Sequence, residues 1–442
     1  MENFEVIKKI TESTDFQDSL YLVGGAVRDK LLDRQATDLD FIVVTHGDSV
    51  ELANFLKQKL PYEFRIDFLS EKWGFASATL NNQKVDFCRL PYFGASQDVY
   101  QRLKSYALQR DFTINSLYLE LSTGKILDFS LNGIDDIKGK TIRCVGDPFD
   151  RISEDPIRIF RAVRLACELN FTIDPSTFYA LKELSPYVND ISKYRLGLEI
   201  KKLLCVSKPK KAFKLLSEIN VLKHILPELE SLKNITQGKQ HNEDVFNHTL
   251  SVLEKCEPHP ILRMAALFHD IGKALTKKES NGKISFIGHE EVSAEIAYDK
   301  ATEWNLDHQE ALRVSELVLC HMKLKQAGDS GKNIKNATLR KLVSRFSVDF
   351  NLLLSLIHAD NLSQSPEYCM PNQIPAIKER VNELRNSITK KKVNLPLSAH
   401  DLILLGLKGP QIGKALNVIQ SATEKNPELT KTEAIILINK DQ

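Results

Sequence analysis

The sequence of 442 residues lacks the features that mark several classes of protein. It contains no apolar run near the roughly 18 residues that a membrane-spanning helix needs, so we expect no membrane partner. The start of the chain, Met1–Glu5, is acidic and has neither the basic nor the apolar segment of a secretion signal. The net charge is only +2, so any nucleic acid must be bound by local basic patches, such as Lys201–Lys214 or Lys390–Lys392.

Cysteine is scarce and scattered. The chain has seven cysteines, an odd number, and no two of them have Cys-x-x-Cys spacing. This pattern indicates reduced core thiols in a cytoplasmic protein rather than disulfides or zinc ligands. The sequence indicates no obligate protein partner. The cysteines are Cys88, Cys144, Cys167, Cys205, Cys256, Cys320 and Cys369.

The order of apolar patterns predicts the fold class. Hydrophobic residues make up 42% of the chain, which is enough for a sizeable core. Strand-like runs dominate before residue 145, one helix is predicted at Asp48–Lys59, and helical spacing dominates after Asp155. We therefore predict an α+β protein with a small mixed-sheet head followed by an all-helical body. The predicted strands are Leu20–Val23, Phe41–Val44, Phe75–Leu80, Lys84–Cys88, Ser116–Leu121 and Ile126–Phe129.

The most informative motif combines a glycine pair, an arginine and two carboxylates. Gly24 and Gly25 have no Cβ, so a phosphate can approach their N–H groups, and Arg28 follows them closely. Asp38 and Asp40 stand at i and i+2 at the head of a predicted strand, so they share one face about 6.5 Å apart. Two such carboxylates can share Mg²⁺ ions about 4 Å apart, the spacing of a two-metal phosphoryl-transfer site.

Two further segments carry residues suited to a nucleotide. In Gln109–Asn115, an arginine can pair with phosphates, while an aspartate and an asparagine can hold ribose hydroxyls. In Glu154–Arg164, Pro156 is expected in the first turn of a helix. Three arginines at i, i+3 and i+6 form a cationic ridge on that helix. The ridge consists of Arg158, Arg161 and Arg164.

These segments resemble, in order and spacing, the motifs of the bacterial class II tRNA nucleotidyltransferases, the CCA-adding enzymes and their poly(A) polymerase relatives. The resemblance continues through Asp128–Asp136, Ile191–Ile200 and Pro396–Gly413, so it covers nearly the whole chain. It implies template-independent addition of C and/or A to the tRNA 3′ end from CTP and ATP, with release of pyrophosphate. The implied partners are the tRNA 3′ end, CTP and ATP.

The resemblance also implies roles for the first motif residues. Asp38 and Asp40 would be the catalytic ligands of Mg²⁺. Gly25, Arg28 and Arg110 would hold the triphosphate. No protein nucleophile is required, because positioning and metal charge carry this chemistry.

The remaining implied residues would hold the nucleoside. Asp111 and Asn115 would secure the ribose, whose 2′-OH distinguishes a ribonucleotide. Asp155 and Arg158 would pair with the Watson–Crick edge of the base, so that protein replaces a template. Two further arginines would complete the nucleotide site, Arg161 and Arg164.

Three departures from the family pattern concern the number of nucleotides added. Gln109 stands where many members have a first arginine, and Ser105-Tyr106 replaces an acidic pair. The segment from Asp86 to Arg110 is short compared with many relatives, in a region where the family has a loop that switches addition from C to A. A CCA-, CC- or A-adding enzyme therefore remains open.

Downstream, a histidine-aspartate pair resembles the centre of HD-type metal phosphohydrolases. His269-Asp270 is preceded by His248 and followed by Asp360, which is the ligand set implied for a divalent transition metal. His289 and His321 lie between them in the sequence without an assigned role. An HD fold can also persist as a tRNA-binding scaffold that has lost its metal.

These observations predict a domain order and leave three alternatives for the function. The expected domains are a catalytic nucleotidyltransferase head at 1–146, a helical neck at 147–235, an HD domain at 236–370 and a helical tail at 371–442. The alternatives are a poly(A) polymerase, an HD-type metal phosphohydrolase as the main activity, and a non-catalytic RNA-binding protein. The last two would leave the intact Asp38 and Asp40 pair unexplained.

Overall fold

The computed structural model describes residues 2–44, 49–90, 98–237, 243–280, 283–346, 349–390, 395–398, 401–402, 405–407, 410–426 and 428–440. The chain divides into two compact units. The first comprises Met1–Met322 with Ser355–Cys369, and the second comprises Lys323–Leu354 with Met370–Gln442. Lys391 and Lys392 of the second predicted basic patch lie outside the described residues.

A seven-stranded mixed sheet forms the head of the first unit. The strands in spatial order are β3-β4-β5-β2-β1-β6-β7, and every neighbouring pair is antiparallel except β2 and β5. The predicted mixed sheet is confirmed. The strands are β1 Leu20–Val23, β2 Asp38–Val43, β3 Phe64–Ser70, β4 Phe75–Leu80, β5 Gln83–Arg89, β6 Leu117–Glu120 and β7 Ile126–Asp128.

The sequence predicted six of these strands and missed β3. Strand β2 begins at Asp38, so both aspartates lie within the strand rather than ahead of it. Strand β3 is an edge strand, and most of its residues, such as Arg65 and Asp67, are exposed. Residues 64–68 of this strand alternate apolar and polar side chains, which is a strand signal that the sequence analysis did not use.

Helices cover both faces of the sheet in the head. Strand β1 is buried along its whole length, as the central position in a covered sheet requires. On one face, Tyr21, Ile42 and Tyr118 form a core with Leu103 and Ala107. The helices of the head are α1 Glu2–Thr11, α2 Gly25–Leu31, α3 Ser49–Lys59, α4 Val99–Ala107 and α5 Gly133–Lys138.

The junction after the head is built by capping residues. The Asp147 side chain accepts hydrogen bonds from the N–H groups of Phe149 and Asp150, which starts a helix at Pro148. That helix ends at Glu154, and Asp155 is extended. The helix that carries the arginines begins at Arg158, so Pro156 lies in the turn before it and not in its first turn.

The rest of the first unit is helical, apart from two short strand pairs. Thr141–Ile142 pairs with Thr172–Ile173, and Lys278–Ser280 pairs with Lys283–Ser285. The helices are α6 Pro148–Glu154, α7 Arg158–Glu168, α8 Pro175–Glu183, α9 Lys193–Leu204, α10 Pro209–Glu218, α11 Leu222–Ile225, α12 Pro227–Glu230, α13 Val245–Lys255, α14 Pro260–Phe268, α15 Lys273–Thr276, α16 His289–Glu303 and α17 His308–Cys320.

Further helices follow, and those of the second unit have a small core of their own. Leu397, Leu402 and Ile419 are buried together in the second unit. Among the described residues no single helix is long and apolar enough to cross a membrane, and only α18 with α19, taken together across a bend, meets the length and composition. The helices are α18 Asn336–Arg345, α19 Phe350–Asn361, α20 Gln373–Lys390, α21 Pro410–Lys425 and α22 Lys431–Lys440.

Candidate active site

Three carboxylates meet where β2 lies beside β5. Asp38 and Asp40 project from one face of β2, and Asp40 is directly opposite Asp86 of the parallel strand β5. The Asp86 carboxylate accepts a hydrogen bond from Ser77 Oγ at 2.6 Å and pairs with Lys84 Nζ at 2.5 Å. The sequence analysis assigned no role to Asp86, although a lone carboxylate between Val85 and Phe87 was a usable signal.

The charge at this edge of the sheet favours a cation. Burial raises the pKa of the Asp40 carboxyl, Arg110 opposes that shift, and the carboxylates of Asp86 and Asp38 add to it. Clustered carboxylate oxygens are the ligands that Mg²⁺ prefers, and a divalent ion would relieve their repulsion. The three side chains therefore fit the expected Mg²⁺.

The glycine turn brings two arginines to the carboxylates. Gly24 has φ of +72°, and a Cβ at this position would lie 2.9 Å from Nη1 of Arg110. Only glycine combines this left-handed backbone with such a close approach. Helix α2 starts at Gly25 and carries Arg28, whose Nη1 donates to Asn115 Oδ1 at 2.7 Å.

A chain of hydrogen bonds continues from Asn115 into the helical neck. Asn115 Nδ2 donates to Asp111 Oδ1 at 3.3 Å, and Arg161 Nε donates to Asp111 Oδ2 at 2.8 Å. Burial works against ionisation of Asp111, but the charge of Arg161 and hydrogen bonds from the Phe112 N–H and Asn115 hold the pKa of Asp111 below its usual range. The network fixes these side chains between the sheet and α7.

Two cavities are lined by all the head and neck residues that the sequence assigned to metal and nucleotide binding. The larger, of about 530 Å³, lies over the carboxylates, and the second, of about 360 Å³, lies beside α7. Both are lined by Arg110, Asp111 and Arg161, so they adjoin. The larger is also lined by Gly25, Arg28, Asp38, Asp40, Asn115 and Arg164, and the second by Asp155 and Arg158.

The predicted arginine ridge lies on α7, and its charges are compensated within the protein. Each ridge arginine pairs with a carboxylate: Arg158 with Glu154 at 2.8 Å, Arg161 with Asp111, and Arg164 with Glu199 at 2.5 Å. In the smaller cavity, Arg195 of α9 donates to Asp155 Oδ2 at 2.7 Å. The sequence placed Arg195 in a motif but gave it no role, because its partner is 40 residues away.

A second cluster of potential ligands lies among the helices of the body. His248 Nε2 is 3.1 Å from Asp360 Oδ1, and His269 Nε2 is 3.2 Å from Asp270 Oδ2. The four side chains that the sequence assigned to a metal therefore lie together, and all are buried. Two histidines that had no assigned role join them, His289 and His321.

Comparisons with known proteins agree with this arrangement of parts. The chain matches the poly A polymerase head domain over residues 20–143, the probable RNA and SrmB-binding site of polymerase A over 170–233, and the HD domain over 245–349. It is 29% identical over 441 residues to the A-adding tRNA nucleotidyltransferase of Deinococcus radiodurans, with 93% of each chain covered. It is 30% identical over 429 residues to the CC-adding tRNA nucleotidyltransferase of Thermus thermophilus, with 93% of this chain and 91% of the relative covered.

The fold is that of a solved relative. The structure of the Bacillus stearothermophilus CCA-adding enzyme in complex with CTP superposes with a TM-score of 0.63 at 22% identity, covering 100% of this chain and 97% of that one. The poly A polymerase head with its carboxylates defines a nucleotidyltransferase, and this nucleotidyltransferase also carries an HD domain. The chain belongs, more particularly, to the tRNA nucleotidyltransferase family. These findings favour neither a poly(A) polymerase nor an HD phosphohydrolase as the main activity.

Proposed function

We propose that this protein transfers cytidylate, adenylate or both from CTP and ATP to the 3′ end of tRNA in the larger cavity. The observation that carries the proposal is the meeting of Asp38, Asp40 and Asp86 beside the Gly24–Arg28 turn. The tRNA 3′ hydroxyl would attack the α-phosphate of the nucleotide, and pyrophosphate would leave. Relatives named as A-adding and CC-adding enzymes support this substrate class.

The carboxylates would hold Mg²⁺. When bound, this ion supplies positive charge to the reacting phosphate and lowers the pKa of the attacking hydroxyl. Asp38 and Asp40 would bind it directly. Asp86 is held by Ser77 and Lys84 and would complete the negative surface beside Asp40.

Arg28 and Arg110, which lie beside the glycine turn, would bind the triphosphate. Arg110 is enclosed between Gly24 and the rings of Tyr106 and Tyr118, so its guanidinium is held in one place. Arg28 is fixed by Asp29 at 2.8 Å and by Asn115. Preset guanidinium groups bind phosphate oxygens with little loss of side-chain entropy.

The base would enter the smaller cavity, and the ribose would lie where the two cavities adjoin. Asn115 and Asp111 would contact the ribose, and Asp155 with Arg158 would contact the base edge. Both base-reading groups already have protein partners, Arg195 and Glu154 respectively. Binding of a base would therefore exchange these ion pairs for hydrogen bonds to the base, with Arg161 and Arg164 holding α7 in position.

The domain division predicted from the sequence accompanies this function as a proposal. The head would be 1–146, the neck 147–235, the HD domain 236–370 and the tail 371–442. The family matches at 20–143, 170–233 and 245–349 support the first three.

The test is nucleotide addition to three tRNA substrates. The acceptors end at the discriminator base, at C and at CC, and CTP and ATP are supplied separately with Mg²⁺. We expect the wild type to add nucleotides. The rate of addition should fall about 10²-fold or more in Asp40→Ala, by analogy with the cost of one lost transition-state contact. Asp67→Ala, on the edge strand β3, is the matched control and should retain wild-type rates. Wild-type rates in Asp40→Ala would contradict the proposal, and the pattern over the three acceptors identifies which nucleotides are added.

A further inference from the structure

Tyr106 and Gln109 line the smaller cavity from the side of the head. Tyr106 lies near the end of α4, and Gln109 lies in the turn that follows this helix. Both stand at positions where the sequence departs from the family pattern. Tyr106 is half-buried and Gln109 is exposed. Their side chains are therefore features of this chain at the place where the base would bind.

The side chain of Gln109 offers a neutral amide to this cavity. Its backbone carbonyl oxygen accepts a hydrogen bond from Arg158 Nη2 at 3.3 Å, which holds the turn beside that guanidinium. The side-chain amide makes no hydrogen bond to the described part of the chain. Both its N–H groups and its carbonyl oxygen are thus available to a ligand.

Arg158 alone has too few free donors for the edge of cytosine. Its Nη1 donates to the Arg151 carbonyl oxygen at 2.5 Å and to Glu154 Oε2 at 2.8 Å. Release of the Glu154 pair by a bound base would free one N–H group, which is enough for one acceptor. Cytosine presents an amino group and two acceptors, N3 and O2. With Asp155 on the amino group and Arg158 on N3, O2 needs a further donor, and the Gln109 amide can supply it.

Adenine has no second acceptor at this place. Its Watson–Crick edge presents an amino group and N1, and a C–H group occupies the position that corresponds to cytosine O2. An N–H group of Gln109 gains no hydrogen bond from that C–H group. Gln109 therefore favours cytosine over adenine.

Tyr106 supplies an aromatic surface in the same cavity. Its ring centroid lies 5.6 Å from the guanidinium carbon of Arg110, so the ring is supported from the triphosphate side. Ile157, which is 6% exposed, is the other apolar residue of the lining. Every base can stack on an aromatic ring, and the two rings of adenine offer more overlap than the single ring of cytosine. Tyr106 therefore favours adenine, in opposition to Gln109.

We propose that Gln109 and Tyr106 contact the base and together set the relative affinity of the site for CTP and ATP. Nε2 of Gln109 donates to O2 of cytosine, and the ring of Tyr106 stacks on either base. The inference rests on the proposed function, because it requires the base to lie in the smaller cavity. It adds two specificity-determining residues from the head to Asp155 and Arg158.

The test is the affinity of the full chain for CTP and for ATP, measured by titration calorimetry with Mg²⁺ and without tRNA. Gln109→Met removes the amide at nearly constant volume. It should weaken CTP binding roughly 2–10-fold and leave ATP binding unchanged. Gln101→Met, at an exposed position of α4 outside the cavity, is the matched control and should change neither affinity. Unchanged CTP affinity in Gln109→Met, or equal losses for CTP and ATP, would overturn the contact with cytosine.

Tyr106 is tested in the same titrations. Tyr106→Leu should weaken ATP binding roughly 5–100-fold and CTP binding by less, and Tyr106→Phe should keep both affinities. If the ring only supports Arg110, its loss acts on the triphosphate that both nucleotides share. Equal losses for CTP and ATP in Tyr106→Leu would therefore overturn the stacking role. Failure of the wild type to bind either nucleotide would contradict the proposed function itself, and with it this inference.

Discussion

At the scale of single residues, Asp86 shows how the sheet completes the site. It is 46 positions from Asp40 in the sequence, yet parallel pairing of β2 and β5 sets the two directly opposite each other. Ser77 and Lys84 hold its carboxylate. It can therefore shape the field around a bound ion whether or not it binds the ion directly.

We predict that Asp86→Asn lowers nucleotide addition roughly 10–100-fold, which is typical when a group that supports a metal ligand is lost. The Mg²⁺ concentration for half-maximal rate should rise, because the cluster loses negative charge. Rates are measured across a Mg²⁺ titration, with Asp67→Asn as the control. An unchanged Mg²⁺ dependence would assign Asp86 a role in folding only.

A second prediction at this scale concerns base choice. If Arg158 reads the base, Arg158→Ala should reduce the preference for CTP or ATP over UTP and GTP by roughly 1.5–3 kcal/mol, the worth of a hydrogen bond to a charged group. The measurement is kcat/KM for each of the four nucleotides. Arg65→Ala, on the exposed edge strand, should leave the preference unchanged. Intact discrimination in Arg158→Ala would show that the base is read elsewhere.

The residues that sequence reasoning found and missed differ in a physical way. Gly25, Arg28, Asp38 and Asp40 lie within a few turns of chain, so their spacing alone predicts a shared site. Asp86, Arg195, His289 and His321 take their roles from strand pairing or helix packing between distant segments. A single sequence carries no record of such pairing. A lone carboxylate within a strand can mark a position such as Asp86, but the structure is needed to show what it faces.

At the scale of elements, the sequence predicted the well-buried strands and missed an exposed one. Strand β1 is a fully buried apolar run, and its predicted and observed bounds agree. Strand β3 is exposed and was missed. Helix α7 was predicted from its arginine spacing, but it begins only at Arg158, after a turn at Asp155–Ile157. In this turn the Asp155 side chain accepts a hydrogen bond from the Ile157 N–H, and its backbone carbonyl accepts one from the Arg158 N–H.

Helix α9 packs on the end of α16 without room for a side chain. A Cβ at Gly197 would lie 1.7 Å from the Trp304 carbonyl oxygen, which is backbone and cannot rotate away. We predict that Gly197→Ala destabilises the protein by about 1–3 kcal/mol, the usual cost of overpacking. Gly413→Ala, inside α21 and in open space, should instead stabilise by up to about 1 kcal/mol. Denaturant unfolding measures both, and a neutral Gly197→Ala would contradict the packing.

The ion pair between Asp111 and Arg161 of α7 should affect how the stability of the protein depends on pH. Because the folded-state pKa of Asp111 is lowered, its stabilisation is present above the unfolded value near 3.9 and is lost as pH falls through the folded value. Asp111→Asn should cost about 1–3 kcal/mol at pH 7, a figure kept low because Arg161 is 38% exposed. Urea unfolding at pH 7 and below pH 4 measures the difference. If the difference in unfolding free energy between the wild type and Asp111→Asn stays constant with pH, the prediction is contradicted.

At the scale of the whole molecule, two kinds of ligand set occupy different parts of the chain. The head offers oxygen ligands on a sheet, which suit Mg²⁺, and the body offers four imidazoles among helices, which suit a transition metal. Different ligand chemistry would let each centre select its own ion from the same solution. The two centres can therefore be inactivated one at a time.

We accordingly predict opposite effects from two aspartate changes. Asp40→Ala should lose nucleotide addition and keep metal-dependent hydrolysis of a phosphate ester, assayed with Mn²⁺, Ni²⁺ or Co²⁺. Asp270→Ala should keep addition and lose hydrolysis, because it removes a carboxylate that lies beside both His269 and His289 in the buried cluster. The assays use one preparation of each variant, with p-nitrophenyl phosphate and bis-p-nitrophenyl phosphate as hydrolysis probes. Loss of both activities in either variant would show that the centres are coupled, and absence of hydrolysis in the wild type would make the histidine-aspartate cluster a structural site.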